Sequence, residues 1–200
     1  PDAGSVGVLG LDVKQDAVAV KRLVGYAAES SNLYEFLTGI EFLDFIGDIY
    51  GMEAEEKKTR INEYIKALQL EDREGDMINS YSSGMKQKIA PISAFLHKPK
   101  LLVLDEPLNG LDPRSARIIK DFLQQLKLQG VTTIMSTHIL EIAQAVCDRI
   151  GIIYHGKILA LGNMEELQKM AKLPSSGLED IFLKLTGTDD VKAMVEELSK

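Results

Sequence analysis

Leu101-Leu102-Val103-Leu104-Asp105-Glu106-Pro107 is a run of four aliphatic residues closed by two carboxylates and a proline. Nothing polar alternates within the run, so it reads as a strand covered on both faces at the centre of a parallel sheet. Open α/β sheets bind ligands at the carboxyl ends of their strands, which is where Asp105 and Glu106 fall. A carboxylate pair so placed can hold a divalent cation and polarise a water molecule. The plainer alternative is a strand that ends in solvated acids.

Short apolar runs on either side repeat the theme, and amphipathic helices separate them. Strands are expected over residues 5–9, 23–27, 131–135 and 149–154, the last turning through His155-Gly156 into 157–161. This alternation is the pattern of an α/β fold with a mostly parallel sheet. Between Thr38 and Ile78 the pattern is helical only. Thr38-Gly39-Ile40-Glu41 forms a capping box, Gly51 ends the first helix, and Ile61, Tyr64, Ile65 and Leu68 share one face of the second. The stretch reads as a helical insertion. Asp112-Pro113 starts a later helix with a buried stripe of Ile118, Ile119, Phe122, Leu123 and Leu126. Asn163 to Glu166 repeats the capping pattern, and Pro174-Ser175-Ser176-Gly177 reads as a joint before a last helix over 178–185.

Composition narrows the class. A chain of 200 residues, 45% hydrophobic and 26% charged, can bury one sizeable core. The net charge of -7 argues against a general nucleic-acid binder, because such affinity comes from an excess of Lys and Arg. Cys147 stands alone, so no intramolecular disulfide can form; it reads as a small apolar residue on a helix. No run approaches the length needed to cross a bilayer, so a membrane role is expected to come through a partner.

Two further segments carry chemistry. Ser82 to Met85 opens a helix, where exposed amides and a hydroxyl make an anion site; Ser82 as an ordinary N-cap is the alternative. His138 follows the strand over 131–135 and is expected at the same sheet edge as Glu106, a candidate contact for a terminal phosphate. His97 and His155 sit in a loop and a hairpin turn and carry no such expectation.

Taken together, Tyr81-Ser82-Ser83-Gly84-Met85-Lys86-Gln87-Lys88, the 101–107 run, Asn109-Gly110-Leu111-Asp112-Pro113 and Ser136-Thr137-His138 resemble four motifs of the ATP-binding cassette (ABC) transporter ATPases. These are the signature, Walker B, D-loop and switch histidine, in the family's order. Pro1-Asp2-Ala3-Gly4 resembles the segment after the Walker A helix, and Val24-Gly25-Tyr26 the strand leading into the Q-loop. The resemblance is strongest to exporters of drugs, antibiotics, ions or lipids. It implies a P-loop NTPase-like cassette core with a helical subdomain, organised as 1–37 partial core, 38–80 helical subdomain, 81–162 motif-bearing core and 163–200 helical tail.

By the same resemblance the cofactors are ATP and Mg²⁺. Asp105 would help to hold the cation, with Glu29 at the Q-loop position; Glu106 would be the general base and His138 the phosphate sensor. Ser82, Ser83 and Gly84 would meet the γ-phosphate of ATP held by a second cassette in a head-to-tail dimer, with Asp112 at the interface. The insertion would dock on a membrane permease, placing the chain on the cytoplasmic side of a membrane.

Several positions depart from the family pattern. Glu29 replaces the Q-loop Gln, Ser83 a Gly and Met85 a Gln, and Pro91 falls inside the helix after the signature, where it is expected to kink it. No Gly-x-x-x-x-Gly-Lys-[Ser/Thr] loop occurs in the 200 residues. Gly151 to Ile158 fits that pattern except at its last position, and its Ile-Ile-Tyr run is strand-like, so a hairpin is expected there. The first strands and the phosphate loop are therefore expected to be missing, leaving sheet edge and apolar surface open. Two readings follow: an N-terminally truncated exporter ATPase that does not hydrolyse ATP alone, or a degenerate cassette that lends its signature to an intact one. A cassette of DNA repair fits less well, because 38–78 has room only for a compact insertion.

Overall fold

The computed structural model describes residues 3–29 and 33–187, which divide between Ser136 and Thr137 into two compact units. In the first unit, β1 (Gly7–Val8) and β2 (Leu11–Asp12) form a minimal antiparallel hairpin, followed by α1 (Ala17–Leu23) and β3 (Val24–Ala27). Next come α2 (Gly39–Ile49), α3 (Ala54–Ala67), a 3-10 turn (Ile78–Ser80) and α4 (Ser83–Phe95). The unit closes with β4 (Leu101–Asp105), α5 (Pro113–Leu128) and β5 (Thr132–Ser136).

Two expectations at the amino end are corrected. The strand over 5–9 shrinks to two residues, because Leu9 and Gly10 both take left-handed backbone (φ 51 and 82) and turn the chain straight back. Leu23 ends a helix that the sequence did not announce. In Ala17 to Leu23 only Val20 is buried, so no helical apolar stripe marks the segment. Pro1 and Asp2, likened above to a post-Walker A segment, lie outside the described residues.

The sheet runs β3-β4-β5, all parallel, with β4 central as expected. Its two faces differ, which corrects the expectation that β4 is covered on both. Leu102 and Leu104 are fully buried together with Gly25 and Ala27, on the face where Gly25 meets the backbone of Ala94 in α4. Phe95 of α4 and Phe122 of α5 meet with ring centres 5.1 Å apart. On the other face Tyr26, Val103 and Ile134 lie in register across the three strands, and Tyr26 and Ile134 are more than half exposed. Among the described residues β5 pairs only with β4, so its outer edge offers free backbone groups beside Ile134.

The helical insertion forms as its caps dictate. Thr38 Oγ1 accepts from the Glu41 amide at 3.2 Å while Glu41 accepts from the Thr38 amide at 2.8 Å, and Gly51 (φ 67) follows the end of α2. On α3, Ile61 and Ile65 are buried, and so is Leu68, the residue that caps it. Lys57 ties α2 to α3: its methylene stem lies against Gly47, and its ammonium pairs with Asp44 at 2.8 Å and with Asp48. Tyr34 gathers Phe36, Phe42 and Phe45 around its ring, and Phe36, Phe45, Ile49 and Met77 remain largely exposed on this subdomain.

The turn after α4 carries His97. Its ring stacks on Tyr50 at 3.5 Å and 9°, and neither buried ring nitrogen makes a well-formed hydrogen bond, although the nearby Val24 carbonyl opposes loss of the proton. Burial pushes its pKa down to about 4. The unfolded chain therefore binds the proton first, and the neutral His97 contributes stability that is complete above about pH 6.5 and lost as pH falls towards 4. Allowing for solvent screening, the loss is on the order of 1 kcal/mol. Chemical denaturation at a series of pH values should show it in the wild type, and His97→Phe, which keeps a stacked ring, should flatten that window.

The second unit contains α6 (Leu140–Val146), β6 (Ile150–Tyr154), β7 (Lys157–Gly162), α7 (Met164–Ala171) and α8 (Leu178–Thr186). Ile150, Ile152, Ala160, Leu167, Leu178 and Ile181 are its core. The capping box of Asn163 and Glu166 opens α7 as expected. Residues 151–158 are the expected antiparallel hairpin, turning through His155 (φ 48) and Gly156 (φ 72), so they form no phosphate loop. Cys147 caps α6 half-buried against this core, and burial raises its thiol pKa, which makes it a packing residue.

Candidate functional site

The site in the first unit forms where β4 and β5 end side by side. Asp105 is in register with Ser136, and the Ser136 hydroxyl donates to an Asp105 carboxylate oxygen. The chain then turns sharply: Glu106 adopts left-handed backbone (φ 47), a conformation disfavoured for a residue with a Cβ. Hydrogen bonds on both sides hold it there. Its amide donates to the Ser136 carbonyl at 3.1 Å, and its carbonyl accepts from the Asn109 amide at 3.1 Å and the Gln87 side-chain amide at 3.0 Å. Glu106 is only 9% exposed.

Ser82 is the N-cap of α4, its hydroxyl accepting from the Met85 amide at 3.3 Å. The capping and anion-binding readings are compatible, since the cap leaves the amides of Ser83 and Gly84 at the helix start. Gly84 packs closely on the D-loop segment: a Cβ there would lie 3.4 Å from the Gly110 carbonyl. Gly110 itself has left-handed backbone, φ 69. Ser83, Gln87, Asn109, Gly110 and Glu29 line one open cleft of about 340 Å³. Glu29 reaches it because β3 and β4 are parallel with Ala27 beside Leu104, so Glu29 and Asp105 leave the same sheet edge. Met85 and Ser83, the departures in the signature, do not prevent the helix from starting at the expected place.

Asp112 starts α5 as its place before Pro113 predicts, and it has a second partner that no motif announced. It caps α5 by accepting from the Ser115 amide at 2.9 Å and the Ser115 hydroxyl at 2.7 Å, and it pairs with Lys88 of α4 at 3.0 Å. The Ser115 bonds and then the lysine hold its carboxyl well below the usual carboxylate range. Lys88 and Gln87 were missed as site residues because each acts on a residue some 20 positions away, a pairing with no local signal.

Pro91 stands within α4, which continues through it to Phe95. Proline carries no amide hydrogen, so the Gln87 carbonyl receives no helical bond from position 91. The expected disruption is thus placed one turn beyond the signature and leaves the helix unbroken.

His138 belongs to the second unit. It is exposed in the segment before α6, where the Thr137 hydroxyl accepts from the Ile139 amide at 3.1 Å. Among the described residues no three His, Cys, Asp or Glu side chains cluster as a protein-only metal cage. A single carboxylate supported by a hydroxyl suits a magnesium ion that takes its other ligands from phosphate and water, so Asp105 fits that part.

This fold and this site define a class. The family model described as ABC transporter matches residues 1–109, and the chain belongs to that family. The linearmycin resistance ATP-binding protein LnrL of Bacillus subtilis (strain 168) is 35% identical over 188 residues, covering 91% of this chain and 60% of LnrL. The chain thus spans less than two thirds of that relative's length. A solved structure described as the ATP binding subunit of an ABC transporter superimposes with a TM-score of 0.88 at 30% identity, covering 93% of this chain and 78% of that one. The ATP-binding cassette MJ0796, solved as a dimer in a post-hydrolysis state with ADP and Pi, shares the fold, with a TM-score of 0.73 at 22% identity, 82% of this chain and 75% of that one. No helix among the described residues is long and apolar enough to cross a membrane.

Proposed function

We propose that this chain is part of an ATP-hydrolysing subunit that powers export through a membrane permease. The observation that carries the reading is the convergence of Ser83, Asn109, Gly110 and Glu29 on one cleft, beside a carboxylate pair at the end of the central strand. Asp105 helps to hold Mg²⁺, and Glu106 takes the proton of the attacking water. The start of α4, with Ser82, Ser83 and Gly84, faces the terminal phosphate of a nucleotide held by a second cassette, and Glu29 lines the same cleft; the phosphate-sensing role of His138 rests on the family resemblance alone. Asp112, through Lys88 and Ser115, keeps the D-loop segment against α4 at the dimer interface.

The dimeric MJ0796 cassette and the resistance role in the name of LnrL support pairing and export. The exposed aromatic cluster around Tyr34, Phe36 and Phe45 supports docking of a permease on the helical subdomain at the cytoplasmic membrane face. A second reading, a degenerate cassette that only lends its signature to an intact partner, is favoured by one observation: an acid, Glu29, stands at the Q-loop position and lines the cleft.

Equilibrium binding of a fluorescent ATP analogue with Mg²⁺ separates the two. The 200-residue chain should not saturate, whereas a version extended upstream through an encoded phosphate loop should bind saturably. Failure of the extended version to bind favours the degenerate cassette. Saturable binding by the 200 residues themselves would overturn the assignment of the phosphate site.

A further inference from the structure

Glu106 occupies a backbone conformation that neighbouring groups must impose. Main chain next to it in the sheet and turn supplies two of the hydrogen bonds that hold its peptide groups. Another is from the Gln87 side chain, which crosses from α4 to the Glu106 carbonyl at 3.0 Å. Gln87 also lines the cleft shared with Glu29, Ser83, Asn109 and Gly110. It stands four residues into the helix, at the position whose carbonyl Pro91 deprives of a helical bond. The first turn of α4 is therefore less firmly tied to the rest of the helix, and Gln87 sits at that joint.

We infer that Gln87 is a positioning residue that ties the start of α4 to the turn bearing Glu106, so that whatever seats against Ser83 and Gly84 also sets the placement of the Glu106 carboxylate. The inference rests on the reading of Glu106 as general base. Gln87 reaches the Glu106 main chain through a donor at its tip. A change that keeps its size and removes the donor isolates that role.

Gln87→Glu is that change, and Gln87→Lys restores a donor at similar reach. Amide hydrogen exchange in the 200-residue chain gives the first readout: Gln87→Glu should speed exchange at Asn109, whose amide shares the Glu106 carbonyl, by about tenfold or more, and Gln87→Lys should bring it back near wild type. In the protein carrying its phosphate loop, Gln87→Glu should lower kcat for ATP by about tenfold or more with KM within about twofold, and Gln87→Lys should recover most of the loss. Unchanged exchange at Asn109 in Gln87→Glu, or equal impairment of both variants, would overturn the inference. Wild-type protein that turns over no ATP would overturn the proposed function instead, while the exchange measurement still decides the link.

Discussion

Glu106→Gln should lower ATP turnover by about 10² to 10⁴ while leaving nucleotide binding intact, when measured in a version of the protein that carries a phosphate loop. The substitution keeps the size of the side chain and removes its charge and its capacity to accept a proton. It leaves untouched the main-chain bonds to Ser136, Asn109 and Gln87, so the turn should persist. Asp105→Asn provides the contrast: a cation ligand is weakened, so the loss should shrink as Mg²⁺ is raised, whereas the Glu106→Gln loss should not. Turnover within tenfold of wild type in Glu106→Gln would remove Glu106 from the role of base.

Gly25→Ala should destabilise the first unit by about 3 kcal/mol or more. A Cβ at this position would lie 2.1 Å from the Ala94 carbonyl oxygen and 2.9 Å from the Leu102 side chain. The obstructing oxygen belongs to helical backbone and cannot swing aside, so β3 and α4 must separate. That separation would also disturb the cleft, because α4 carries Ser83 and Gln87. Gly151→Ala is the matched control in the second unit, where the nearest atom to a new Cβ is a Leu161 methyl at 3.6 Å. Urea denaturation should show a large drop in midpoint for the first and little change for the second; equal effects would mean that β3 does not need the close approach.

The legible parts of this protein were those whose signal is local. The capping boxes at Thr38 and Asn163 act within four residues, and both form as read. Asp112-Pro113 starts α5, and Leu101 to Leu104 forms the central strand. Gly151 to Ile158 folds as a hairpin because its apolar residues favour an extended ladder over a loop. The illegible parts lacked a period or a cap: α1 buries only Val20, and the strand near Gly7 is cut short by two left-handed residues. The same holds at the site. Asp105, Glu106, Ser82 to Gly84 and Asp112 stand in motifs that can be read in order, whereas Gln87, Lys88 and the exposed sheet face cannot.

The sequence by itself determined that strands and helices alternate, where the capped helices begin, and which acids stand at the end of the central strand, since periodicity, capping and turn chemistry act over a few residues. Only the tertiary structure decided that the sheet is buried on one face, that Gly25 must be a glycine, that Asp112 is held by Lys88, and that Gln87 reaches the Glu106 turn. Those facts depend on how closely elements far apart in the chain approach one another. That distance is set by the packing of whole faces, which no single segment encodes.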